Sequence, residues 1–178
     1  MRPSLIPLFA LFLSIVALAP PVAAQPKPAA KPAAAPVPKP IGAFEEWQAA
    51  TYDEGGQTVC YAFTKARGSS QKISGRGEVI LTVTQRVSMR DAVSISAGFE
   101  YAANASVDVQ SDKGKFEFFT AKRSAFARDG RAVIAALAAS KLVTARSPHP
   151  QKKDVTDTFA VKGFSKAYDA INKACPPK

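Results

Sequence analysis

VTDTFAVKGFSKAYDAINKAC, residues Val155–Cys175, is the stretch that decides the fold. Val155, Asp157, Phe159 and Val161 alternate with Thr156, Thr158, Ala160 and Lys162. A period of two in β-branched and aromatic residues predicts a half-buried strand. Gly163 interrupts it. From Phe164 the apolar side chains recur at Tyr168, Ile171 and Cys175, which is the spacing of one helical face, and Lys166, Asp169 and Lys173 are left to water. Ser165 is placed to cap the first amides, and Pro176 and Pro177 stop the helix. The stretch therefore reads as a strand, a glycine break and a closing helix that ends in a cysteine.

The other cysteine of the chain is Cys60. It falls within Gln57–Lys65, where Val59, Tyr61 and Phe63 alternate with Thr58, Cys60, Ala62 and Thr64, a second strand. Two cysteines far apart in an exported chain predict a structural bridge, because redox pairs sit close together as CxxC. Closing a loop of this size stabilises the fold by on the order of 4–5 kcal/mol in the chain-entropy picture.

Export itself is read from the beginning of the chain. Arg2, an apolar run from Leu5 to Leu18, and Val22-Ala23-Ala24 have the order of a secretory leader, with cleavage expected after Ala24. Residues 25–40, QPKPAAKPAAAPVPKP, have no apolar period and predict an extended, flexible linker with a reach of roughly 50 Å. A single globular domain is expected over residues 41–178, in the periplasm or secreted. Setting aside Arg2, Lys27, Lys31 and Lys39, the domain has 20 basic residues against 14 acidic ones, a net charge of +6. That balance favours acidic surfaces: an envelope polymer or a protein partner. No pattern of aromatic and basic residues points to nucleic acid.

Between the cysteines the chain reads as β structure. Strands are expected at 46–52, Gln57–Lys65, Glu78–Arg86, Ala92–Phe99, around Val107 and Val109, at Phe116–Phe118, and at Leu142–Ala145, followed by the strand quoted above. Asp129 opens the one intervening helix, with Val133, Ile134, Leu137 and Ala138 on its inner stripe. The fold class is mainly β: an antiparallel β-sandwich or barrel-like sheet of about eight strands with two short helices, the last one C-terminal.

The inventory for chemistry is poor. His149, the single histidine, lies between two prolines and has no nucleophile or orienting partner in sequence. Glu45-Glu46 and Asp53-Glu54 do not have the spacing of a metal site. Gly75-Arg76-Gly77 lacks the lysine and the setting of a phosphate loop, and reads as a turn. No catalytic residue, metal or cofactor is expected, and a non-enzymatic binding module is preferred over a hydrolase whose site is not visible in sequence. Lys122, Arg123, Arg128 and Arg131, crowded between the Phe-rich strand and the first helix, are the candidate basic patch.

From Ile41 to Pro176 the chain resembles the invasion-associated locus B family of Gram-negative exported proteins. The residues that carry the resemblance are Trp47, Cys60, VILTVTQR at Val79–Arg86 and, above all, FAVKGFSKAYDAI at Phe159–Ile171. The resemblance implies a secreted or periplasmic β-rich domain without an established catalytic activity, from a family named for host-cell entry. Many of its members carry a second cysteine pair near the segment 116–130; this chain has none there.

Overall fold

The computed structural model describes residues 37–151 and 153–177; the expected leader and most of the expected linker lie outside them. In chain order the elements are β1 (Lys39–Phe44), β2 (Trp47–Glu54), β3 (Gln57–Lys65), β4 (Gly68–Ser69), β5 (Ile80–Gln85), β6 (Ala92–Ser96), β7 (Ser106–Ser111), β8 (Gly114–Ala121), β9 (Ser124–Ala127), α1 (Gly130–Ala139), β10 (Leu142–Ser147), β11 (Val155–Ala160) and α2 (Phe164–Ala174). The strands form one eleven-stranded sheet, in the order β1-β2-β3-β5-β6-β9-β8-β7-β10-β11-β4. Each of the ten strand pairings is antiparallel.

The fold class is as expected, with three strands more than the sequence suggested. β1 contains Pro40 and Gly42, and its register slips between them. β4 is two residues long, and β9 is the four-residue SAFA. None of the three has enough alternation to be recognised as a strand.

β3 and β4 are one run of chain interrupted only at Ala66 and Arg67. Its first part pairs with β2 and β5, and its last two residues pair with β11. The Ala66 amide donates to Val79 O at 2.9 Å and the Arg67 amide to Thr158 O at 2.8 Å, so the switch between partners occurs across a single peptide unit. The sheet thereby curls until its far margin meets the strand it started from, and closes as a barrel. β1 and β2 extend from it as a hairpin.

Alternation along each strand fills the interior. Cys60, Ala62, Leu81, Val83, Ile95, Val107, Phe118, Val143 and Phe159 are all buried. α1 and α2 lie at the barrel end where β5 turns into β6. Trp47, wholly buried, donates its indole N–H to Ala160 O at 3.0 Å and packs on Phe164 with ring centroids 4.8 Å apart. α1 begins as the sequence predicts, with the Asp129 carboxylate accepting from the Ala132 amide at 3.0 Å. α2 does not use Ser165. Gly163 precedes the helix with φ of +91°, and no side chain caps it. A β-carbon at Gly163 would lie 1.9 Å from Phe44 O, so the close approach of β1 dictates a glycine turn, and Ser165 is left exposed inside the helix.

Candidate functional site

The barrel has a helix end and a loop end. The loop end is formed by residues 70–79, 97–105, the Lys122-Arg123 turn, and residues 148–151 and 153–154. A polar constellation is buried beneath it. Asp157 is wholly buried and receives both guanidinium arms of Arg76, at 2.9 and 2.6 Å. The Ser69 hydroxyl donates to the same carboxylate at 2.5 Å, and Arg76 Nε donates to Ala97 O at 2.7 Å. The Arg76 guanidinium also lies over the Phe99 ring, 5.2 Å from its centroid. A fork on a carboxylate satisfies lone pairs that would otherwise be stranded in the core. Ser69 is on β4 and Asp157 on β11, so this group locks the barrel seam.

Beside it, the Tyr101 and Ser147 hydroxyls lie 3.1 Å apart. Burial, foremost, pushes the Tyr101 phenol above its ordinary pKa, and the charge of Asp157 acts in the same direction. His149 packs edge-on against Phe99 at 4.7 Å, and its Nδ1 accepts from the Gln151 amide at 3.1 Å. The histidine thus serves the packing of its loop.

The rim above is basic. Arg67, Lys72, Lys122, Arg123 and Lys153 are exposed there and form no ion pair among the described residues. The acid facing them without a partner is Glu100, since Glu78, Asp154 and Asp157 are taken by Lys65, Arg146 and Arg76. Two loops of the rim are tied together: the Gln71 amide donates to Lys153 O at 3.1 Å and to Asp154 O at 2.8 Å. Arg123 anchors on Gly98 O at 2.8 Å.

The four residues of the candidate basic patch are divided by the length of β9. Lys122 and Arg123 belong to the loop-end rim. Arg128 and Arg131 stand at the helix end, where Arg128 is 4.0 Å from Glu117 and Arg131 3.6 Å from Asp91. Sequence reasoning missed Arg76, Arg67, Lys72 and Lys153. The available signal was Asp157, a carboxylate in the apolar phase of its strand, which requires a buried cation.

The helix end holds a second polar group around Gln85, which is wholly buried. Its amide donates to Asp91 at 2.7 Å and to Asn172 at 3.0 Å, and Tyr168 donates to Asp91 at 2.7 Å. Arg90 holds Cys175 O at 2.6 Å and Asn172 at 2.7 Å. Gly130 fits against this turn because a β-carbon there would lie 1.8 Å from Asp91 O. Burial alone would raise the pKa of Asp91. The hydrogen bonds from Tyr168 and Gln85 and the charges of Arg90 and Arg131 outweigh it and hold the carboxyl below its ordinary value.

The Cys60–Cys175 disulfide is formed, with Cα atoms 6.0 Å apart. Among the described residues no group of three or more His, Cys, Asp or Glu is arranged to hold a metal ion, and no helix is long and apolar enough to cross a membrane. A groove of about 590 Å³ runs over the outer face of β7, β8 and β10, lined by Asp108, Gln110, Lys115, Glu117, Thr144 and Arg146. It contains both signs of charge and no buried titratable pair.

Comparison with known proteins agrees with this architecture. The crystal structure of invasion associated protein B from Bartonella henselae superposes with a TM-score of 0.52 at 19% identity, over 75% of this chain and 95% of that one. At that identity the likeness is one of fold. No curated protein matches the sequence. Residues 47–172 match the Invasion associated locus B (IalB) protein family, and that span is more than half of the chain. The chain belongs to the Invasion associated locus B family.

Proposed function

We propose that the protein is an exported, non-enzymatic binding module that presents the loop end of its barrel to an acidic partner, either a protein or an envelope polymer. One observation carries the proposal: five basic side chains without ion-pair partners converge on a rim whose underlying arginine and carboxylate are locked together. Such a rim raises the local concentration of anionic partners and speeds their encounter. A rim seated on a closed barrel is held in a fixed arrangement, which limits the ordering cost on binding. The fold neighbour from Bartonella is described as invasion associated. Contact with a host surface is one setting in which an exported basic module would meet an acidic partner.

The experiment is charge reversal of the rim. Lys72→Glu, Lys122→Glu and Lys153→Glu together are expected to abolish retention on an acidic polysaccharide column or on anionic envelope vesicles, with circular dichroism unchanged. Reversal of Arg128 and Arg131 should leave retention intact. Equal loss from both sets would refute a site at the loop end. Export requires removal of residues 1–24, so the secreted protein should begin at Gln25. Intact mass gives the answer, and a retained Met1 would contradict export by this route.

A further inference from the structure

The outer face of the barrel carries a row of side chains that the strand register makes continuous. Phe63 lies opposite Thr82, Thr82 opposite Ser94, Ser94 opposite Phe126, and Phe126 opposite Phe119. Directly opposed residues share a face. With strands about 4.8 Å apart, roughly 14 Å of sheet separates Phe63 from Phe126. The aromatic groups cluster at the two ends of this row. At one end Tyr61 stacks on Phe63 at 5.7 Å and meets Tyr52 edge-on at 5.7 Å. At the other Phe126 and Phe119 stack at 5.6 Å, and Phe119 is 42% exposed. The floor between the two platforms carries the hydroxyls of Thr82, Thr84, Ser94 and Ser96, beside Ile80 and Ala92, all half-buried.

Charge is confined to the margin of the face, where the Arg128 guanidinium lies over the Phe119 ring, 5.6 Å from its centroid. Three ion pairs frame the face: Arg86 with Glu54 at 2.8 Å, Lys65 with Glu78, and Arg128 with Glu117 at 4.0 Å. Each of these six charges at the margin is thus answered by its neighbour. Burial raises the phenols of Tyr52 and Tyr61 above their ordinary pKa.

An acidic ligand gains nothing from a surface without net charge. A second copy would set a hydroxyl floor against a hydroxyl floor and bring together two domains that each have 20 basic residues against 14 acidic ones. An uncharged polyhydroxylated chain suits it on both counts: its C–H faces stack on the aromatic rings, and its hydroxyls exchange hydrogen bonds with Thr and Ser, which both donate and accept. The outside of a barrel is convex, so the ligand lies across the strands as a chain and does not enter as a single sugar. We propose that this face binds a neutral polysaccharide chain laid across the strands from Phe63 to Phe119, at a site separate from the basic rim.

The purified full chain is incubated with beads carrying a β-glucan, an α-mannan or a galactan, and with beads carrying polygalacturonate. At least one neutral polymer is expected to retain it, and retention should survive about 1 M salt, where the Debye length is about 3 Å. Phe63→Ala with Phe126→Ala should weaken that retention by about tenfold, the worth of two stacked rings. Thr82→Lys, which charges the floor without emptying any buried space, should do the same. Reversal of Lys72, Lys122 and Lys153 should remove binding to polygalacturonate and leave the neutral polymer bound, so the two sites fail independently. Retention by none of the neutral polymers overturns the proposal, as does unchanged binding of Thr82→Lys. Sedimentation showing a dimer that Thr82→Lys dissolves would assign the face to a second copy instead.

Discussion

Asp157 and Arg76 are the two residues whose separation would be felt most. The Arg76 side chain is 7% exposed and the Asp157 side chain wholly buried. Asp157→Ala leaves a guanidinium in the core without its carboxylate and is expected to destabilise the domain by about 3–5 kcal/mol. Replacing both, as Arg76→Met with Asp157→Leu, should cost clearly less than the single change, as read by urea denaturation. A single variant no worse than the double would mean that the pair is not what holds the seam. Asp91 offers a pH readout. Its folded pKa lies below its unfolded one, so its contribution is fully present above about pH 4 and is lost as pH falls through the lower, folded value. The advantage of wild type over Asp91→Asn should therefore shrink as the pH of thermal melts is lowered below about 4, and a constant gap would contradict it. The inward phase of Asp157 was legible from alternation in the quoted stretch. Its partner was not, because Arg76 lies 81 residues away in a loop without a period.

The element most dependent on tertiary support is α2. A helix of eleven residues does not hold itself together in water. The structure gives it more anchors than the sequence suggested: the disulfide, Arg90 on Cys175 O, Gln85 on Asn172, and the Trp47–Phe164 contact. Cys60→Ser with Cys175→Ser is expected to lower stability by about 2–5 kcal/mol. Amide exchange should accelerate first at the C-terminal end of α2, while β5 and β6 remain protected. Uniform acceleration across the sheet would show that the bridge supports the whole barrel and not the helix. The apolar stripe of α2 and its disulfide could be read from spacing, and so could the Asp129 cap of α1. The start of α2 could not, since the clash that demands Gly163 comes from Phe44, which is remote in sequence.

Across the whole molecule, the loop end gathers Arg67, Lys72, Lys122, Arg123 and Lys153 without ion pairs, while Lys113, Lys115, Lys141, Lys166 and Lys173, likewise unpaired among the described residues, stand apart from it. Binding of acidic polymers should therefore fade as ionic strength rises through about 0.15 M, where the Debye length falls to about 8 Å. Retention indifferent to salt would place the contact on some other surface. The net positive balance was visible in composition, but its location was not, because Arg67, Lys72, Lys122 and Lys153 are brought together only by closure of the barrel. The same closure bears on timing. One run of chain, β3 and β4, receives both ends of the terminal stretch: Cys60 holds α2, and Ser69 holds β11. In a chain delivered N-terminus first, β3 pairs early with β2 and β5, but Cys60 and β4 wait for partners roughly a hundred residues behind them, pairings of high contact order that form slowly. The seam cannot shut until β11 has arrived to meet β4, so closure of the barrel waits until most of the chain is present.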